Sequence, residues 1–246
     1  MITFNTLSIE KSKYVDNAIF KNARQLKKDA LLIANTYKSF ASATSLLILS
    51  SEEIIKAILI LLRSEGYKIY DIKGANKFFK DHKIRHEIAQ LIEMGAGLFD
   101  VASKWEDRKP NKIAKTNIKW LDKMVNGVFD IVEASKPLID SAKRIEILES
   151  FNELKNNGLY VDYKNEIIEP HIAVNQLSYN NTKEIVDRVF RFYKGLRLLF
   201  HPKIANHLPL KEINSIKSDL KMLIEKAMSE YSFENNKPKN LKYEKD

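Results

Sequence analysis

Apolar residues recur along this chain at helical rather than strand spacing. From Tyr14 to about Asn35, the positions Ala23, Leu26, Ala30, Ile33 and Tyr37 follow one another at three- and four-residue steps, the mark of one face of a helix. A second helix is predicted from Phe40 to Arg63. Its centre, Ser42 to Leu62, is almost continuously apolar, and yet it holds Glu52, Glu53 and Lys56. The length, about 20 residues, would span a bilayer. Each central charge costs about 3 kcal/mol on insertion, however, against about half a kcal/mol returned by each Leu or Ile. The segment therefore reads as the core helix of a bundle, apolar nearly all round because other helices surround it. Gly66 in "SEGYK" supplies the conformation that ends it.

Further along, "YKIYDIKGANKFFK" is looser. Asp81 is placed to cap a third helix, "HKIRHEIAQLIEMGAGLFDVASKW", weakened in its middle by Gly95 and Gly97. "EDRKPNK" breaks the pattern, and Asn111 opens a fourth helix, "KIAKTNIKWLDKMVNGVFDIVEAS". A fifth is expected from about Lys136 to Asn156. "NNGLYVDYKN" then turns into a short extended, β-like insertion near residues 158–164, with Leu159, Val161 and Tyr163 alternating and Pro170 closing it. Asn181 or Thr182 is expected to open the next helix, which runs through Phe200 and stops at Pro202. "LPLKEINSIKSDLKMLIEKAMSEY" is the last. The expected architecture is an all-α helical bundle, one domain over residues 1–232, with a disordered basic tail over 233–246. No internal repeat and no long linker divides it.

Composition narrows the picture. Of 246 residues, 44% are apolar and 30% charged, which suits a globular chain; 7 Gly and 6 Pro favour long helices over many tight turns. There is no cysteine, which excludes disulfides and Cys-ligated zinc or iron–sulfur centres and suits a reducing interior. The first residues, "MITFNTLSIEKSKYVDNAIF", lack the basic start and apolar run of a signal peptide, so a cytoplasmic location is expected. A formal net charge of +9 permits an acidic partner such as RNA.

Three stretches carry a family resemblance. "SSEEIIKAILILL" resembles the "AAE..LKALL" signature of HEPN helical domains, with Glu53 and Lys56 in the matching places. "FKDHKIRHEI" resembles the "HK" element that opens the third helix in the AbiV family of phage abortive-infection proteins. "LKNNGLYVDYKNEIIEP" resembles that family's "gLYVDY…P" element, the most specific of the three. Order and spacing agree over roughly Ala18 to Phe200. The resemblance implies a HEPN-type bundle acting in antiviral defence. Many HEPN proteins are metal-independent ribonucleases, and many work as homodimers. Their usual motif is Arg, four to six residues, then His. None of the five His residues here has an Arg at that spacing; Arg197 and His201, with three residues between, come nearest.

Several groups are candidates for chemistry. His82 and His86 share a helix face, and Lys83 and Arg85 lie beside them at a helix start, where free backbone N–H groups and partial positive charge favour a phosphate. If the chain cuts RNA, His82 or His86 is the expected acid/base catalyst, with Arg85 and Lys83 on the phosphate and Glu53 and Lys56 as orienting groups. Glu52 and Lys56, four apart, can also pair. Lys112, Lys115 and Lys119 continue to Lys123 as a stripe along the fourth helix, near Trp105 and Trp120, and with Arg197 and His201 they are candidates for RNA contact. Tyr160 and Asp162 in the extended element are candidates for an interface. No cofactor and no metal is expected. A homodimer is expected; RNA or a phage protein are candidate partners, whereas DNA and a membrane are not. Two functions compete: an abortive-infection effector that cuts RNA to arrest translation or growth, and a non-catalytic HEPN-like module that holds a phage protein, a partner enzyme or RNA. The missing Arg-to-His spacing favours the second.

Overall fold

The computed structural model describes residues 3–92 except 73 and 91, residues 144–206, and most of residues 209–221. Among these the protein is all-α, with a single two-stranded antiparallel hairpin. A short helix α1 (Ile9–Ser12) leads into two long ones, α2 (Val15–Tyr37) and α3 (Phe40–Ser64). Two 3₁₀ turns, Ile69–Asp71 and Ala75–Lys77, precede α4 (residues 82–90). Helical residues 144–149 turn at Ser150 into α5 (Phe151–Asn157). The hairpin strands β1 (Asp162–Lys164) and β2 (Glu166–Ile168) follow, then α6 (Pro170–Ala173) and the long α7 (Gln176–Leu199).

Helix α3 is the central rod. It packs against α1, α2, α5, α6 and α7, and its Leu47, Ile48, Ile54, Ile55 and Ile60 are wholly enclosed. Against it α2 presents Ala23, Ala30 and Ala34, all buried. Small side chains let two helix axes approach closely, and here the Ser50 hydroxyl on α3 reaches the Ala23 carbonyl on α2 at 2.7 Å. That closeness explains one departure from the sequence pattern: Tyr37, expected on the inner face of the first helix, is 75% exposed, because the contact surface follows the alanines. Among the described residues no helix is long and apolar enough to cross a membrane.

Gly66, at φ +84°, ends α3 as its sequence implied. Its N–H bonds the Arg63 carbonyl and the Tyr67 N–H bonds that of Leu62, each at 3.1 Å, so two of the helix's last carbonyls are satisfied. Asp81 caps α4, its carboxylate accepting from the Lys83 N–H at 2.9 Å. Other boundaries moved. Helix α7 begins at Gln176 rather than Asn181 or Thr182, because the Asn175 side chain already caps the Ser178 N–H at 3.1 Å; Thr182 is buried inside the helix. Pro170 opens α6, where a missing N–H costs nothing, rather than only closing the extended run. That run is shorter than expected. Leu159 and Val161 precede β1, and all of residues 159–167 are exposed, so their alternation marks no buried face. The expected fourth helix with its lysine stripe, residues 136–143 of the fifth, and the 233–246 tail lie outside the described residues.

Candidate functional site: a buried carboxylate with four nitrogen partners

Consecutive helical residues point about 100° apart. Two neighbouring glutamates on one helix must therefore face different surroundings, and on α3 they do. Glu53 pairs with Lys56 one turn on, both side chains about one-fifth exposed. Glu52 points inward and is 3% exposed. The i, i+4 pair between Glu52 and Lys56 that the sequence permits does not form. Instead Glu52 receives groups from α4 and α5. Its Oε2 lies against His82 Nδ1 and accepts from Arg85 Nη2 (3.0 Å); its Oε1 accepts from His86 Nε2 (3.2 Å) and Lys155 Nζ (3.0 Å).

The spacing of α4 makes this convergence available. His82, Arg85 and His86 stand at i, i+3 and i+4 and so share one face. Lys155 reaches the carboxylate because α5 lies almost on α3. The Ser45 hydroxyl, two turns before Glu52 on α3, donates to the Lys155 carbonyl at 3.0 Å. At Gly158, directly after α5, a Cβ would stand 2.3 Å from Ser45 Oγ and 2.6 Å from the Ala41 carbonyl. Only glycine fits there, so the Gly of "GLYVDY" is the seat that brings Lys155 to Glu52. The His86 ring also meets Phe151 of α5 edge-on, centroids 5.6 Å apart.

Burial alone would push the Glu52 carboxyl up; the hydrogen bonds from His86, Arg85, Lys155 and His82 overcome it and hold the group far below the usual carboxylate range. His86 is lowered, chiefly by its own burial, with Glu52 opposing. A carboxylate only accepts, so His86 Nε2 carries the hydrogen of its bond to Glu52; His82 Nδ1 lies against both the Glu52 carboxylate and, at 2.8 Å, Arg85 Nη2, and the ring's tautomer sets whether it donates to the first or accepts from the second. Arg85 and Lys155 bring two positive charges against the single negative charge of Glu52, so the cluster is net cationic. The members are not equally enclosed. Arg85, His86 and Lys155 are buried, while half of the His82 side chain remains exposed. With Nδ1 on Glu52, His82 Nε2 has no partner among the described residues.

The sequence candidates thus fall into separate places. His82, Arg85 and His86 come together; Lys83 is exposed beside them. Glu53 and Lys56 pair apart from the cluster. Arg197 is held by α2, bonding Asn17 Oδ1 and lying 4.0 Å from Asp16, and His201 Nδ1 accepts from the Lys203 N–H at 3.1 Å, so neither joins Glu52. Tyr160 and Asp162 are exposed at the hairpin. Lys112, Lys115 and Lys119 lie outside the described residues. Among the described residues no group of three His, Cys, Asp or Glu is placed to hold a metal. Sequence reasoning passed over Lys155 altogether. The signal that points to it is its place three residues before the glycine of the most distinctive motif.

Every member of this cluster falls inside residues 12–191, the span over which the AbiV family model matches the chain. The chain belongs to the AbiV family. It is a HEPN-type abortive-infection protein, and the Glu52 cluster joins the three stretches that carry the sequence resemblance, on α3, α4 and the α5–hairpin segment, at one point. No curated protein matches the chain, and no solved structure does.

Proposed function

We propose that this AbiV-family chain arrests an infected cell by cutting RNA without a metal, with His82 as the acid/base group. The observation that supports the reading is the carboxylate–imidazole pair: buried Glu52 lies against Nδ1 of a half-exposed His82, and in the tautomer with hydrogen on Nδ1 the exposed ring offers Nε2 to take a proton. In the proposed step His82 Nε2 takes the proton of an RNA 2′-hydroxyl. The 2′-oxygen bonds to the adjacent phosphorus, the bond from phosphorus to the 5′-oxygen breaks, and His82 returns the proton to that oxygen. The products are a 2′,3′-cyclic phosphate and a 5′-hydroxyl. Lys83 and the net positive charge of the cluster oppose the charge that builds on the phosphate. Glu52, rather than Glu53, is the orienting carboxylate in this scheme.

A second reading has its own support. Arg85, His86 and Lys155 are all spent on Glu52, and the Arg-to-His spacing usual in HEPN ribonucleases is absent. On that reading the cluster clamps three helices and the chain acts by binding alone. The deciding experiment incubates the purified chain with total RNA in EDTA, alongside His82→Ala, and maps the new ends. Cleavage by the wild type alone, leaving cyclic phosphate, supports the enzyme. No cleavage by the wild type, or equal cleavage by both, refutes it, and phage protection that persists in His82→Ala supports the binding module.

A further inference from the structure

Helices α2 and α7 lie side by side and run in opposite directions. Asn17 meets Arg197, Phe20 meets Phe190 and Tyr193, and Lys27 meets Asp187. Together the two helices carry nine Lys and Arg against four Asp and Glu. All four acids are engaged within the chain. Asp16 accepts from Tyr193, Asp29 from Gln25 and Glu184 from Arg144, and Asp187 lies between Lys27 and Lys183.

The surplus cations form two rows along the seam, because helical residues three and four apart share a face. On α2, Arg24 stands four after Phe20 and three before Lys27, with Lys21 three before it and Lys28 four after. On α7, Lys194 stands four after Phe190 and three before Arg197, with Arg191 three before it. All six of these Lys and Arg side chains, Lys27 not among them, are exposed. On α3, Ser50 and Glu52 point about 160° apart. Ser50 bonds α2, whereas Glu52 bonds α4 and α5, so the rows lie across the central rod from the Glu52 cluster.

Each row is about 10 Å long, and the two stand about 8–10 Å apart. They offer positive charge and no stacking surface: Phe190 and Tyr193 are buried, and Phe20 packs on them. A single strand is held by stacking its bases on aromatic rings. A duplex hides its bases and is held by its phosphates and 2′-hydroxyls. Interfaces with other proteins are depleted of lysine at their centre, where this face is rich in it.

We infer that the α2–α7 seam is a docking face for double-helical RNA, so that the RNA on which this chain acts is a folded one, its duplex held on the seam while a strand passes to the Glu52 side. The last clause rests on the reading that His82 acts on RNA; the docking face does not, and it is tested by binding alone.

The test measures fluorescence anisotropy of a labelled RNA duplex of about 16 base pairs with the full-length chain in EDTA, across a salt series. A single strand of the same length and vesicles of anionic lipid serve as competitors. Lys21→Glu/Arg24→Glu and Arg191→Glu/Lys194→Glu are each expected to weaken duplex binding at least about tenfold at about 0.15 M salt and to lower the dependence of log affinity on log salt by about two. Lys68→Glu/Lys211→Glu, the same change of net charge at exposed positions away from the seam, is expected to leave binding within about threefold of wild type. Unchanged circular dichroism spectra and melting temperatures confirm folding. No duplex binding by the wild type overturns the proposal, even if it takes up vesicles. So does a single strand that competes better than the duplex, or an equal loss from the Lys68/Lys211 variant. Seam-dependent duplex binding by a chain that never cuts RNA refutes the ribonuclease reading and leaves the docking face standing; cutting with no seam-dependent binding does the reverse.

Discussion

Replacing Glu52 by Gln keeps the shape of the side chain and removes the one negative charge at the meeting of α3, α4 and α5. Arg85 and Lys155 are then left without a counter-charge at sites where their side chains are 3% and 10% exposed. Removing one partner from a buried ionic group costs about 3–5 kcal/mol. For a chain of this size 1 kcal/mol corresponds to about 2–4 °C, so the melting temperature of Glu52→Gln falls by about 6–20 °C, read by circular dichroism at neutral pH. Converting the whole group to apolar residues, Glu52→Met with Arg85→Met and Lys155→Met, recovers most of that loss, because no buried charge then lacks a partner. The pH dependence carries a second signature. His86 has a folded pKa below 6.5, so the unfolded chain binds its proton first and stability starts to fall as pH drops below 6.5. Glu52 has a folded pKa below its ordinary 4.5; its contribution is complete above about pH 4.5 and is lost as the pH falls further. In Glu52→Gln the loss below pH 4.5 becomes shallower. A Glu52→Gln protein that melts within about 2 °C of wild type, with the same acid profile, would show that the carboxylate does not compensate buried charge.

Gly158→Ala pushes a methyl group into Ser45 Oγ and the Ala41 carbonyl and is expected to destabilise by about 1–3 kcal/mol in urea denaturation. Adding Ser45→Ala does not rescue it, because the main-chain oxygen remains in the way. Tyr193→Phe removes the hydroxyl that donates to buried Asp16 at 2.7 Å across α2 and α7, and costs about 1–3 kcal/mol by the same measurement. Glu53→Ala breaks only the partly exposed pair with Lys56 and changes stability by less than about 1 kcal/mol; a loss as large as that of Glu52→Gln would mean that the two glutamates share one buried network.

Much of the bundle was legible because helix faces are written locally. The apolar run through α3, its glycine stop and the Asp81 cap each depend on residues within a turn or two of one another. The boundaries that moved did so where local signals competed. Asn175 and Asn181 are both acceptable caps, and the chain used the earlier one, which let Tyr179 and Thr182 join the buried face of α7. The hairpin was half legible. Its turn and extended character follow from "NNGLYVDYKN", but an alternation of apolar residues marks a buried face only if something lies against it, and here nothing described does. The site was legible as residue types on α4, and not as a constellation. Which glutamate those residues meet, and that Lys155 completes the group, depends on elements thirty and more than a hundred residues apart.

By itself the sequence determined that this protein is helical, that its second long helix is enclosed by protein, and that its three motif-bearing segments resemble those of one family. Spacing along a helix is a property of the backbone, so a linear pattern is enough to show it. Only the tertiary structure decided between Glu52 and Glu53. The two are adjacent in sequence and alike in chemistry, but they face directions about 100° apart. One of those directions held a lysine of the same helix, about one-fifth exposed, and the other held the packed faces of α4 and α5, the latter drawn close to α3 by a glycine that has no side chain to keep them apart.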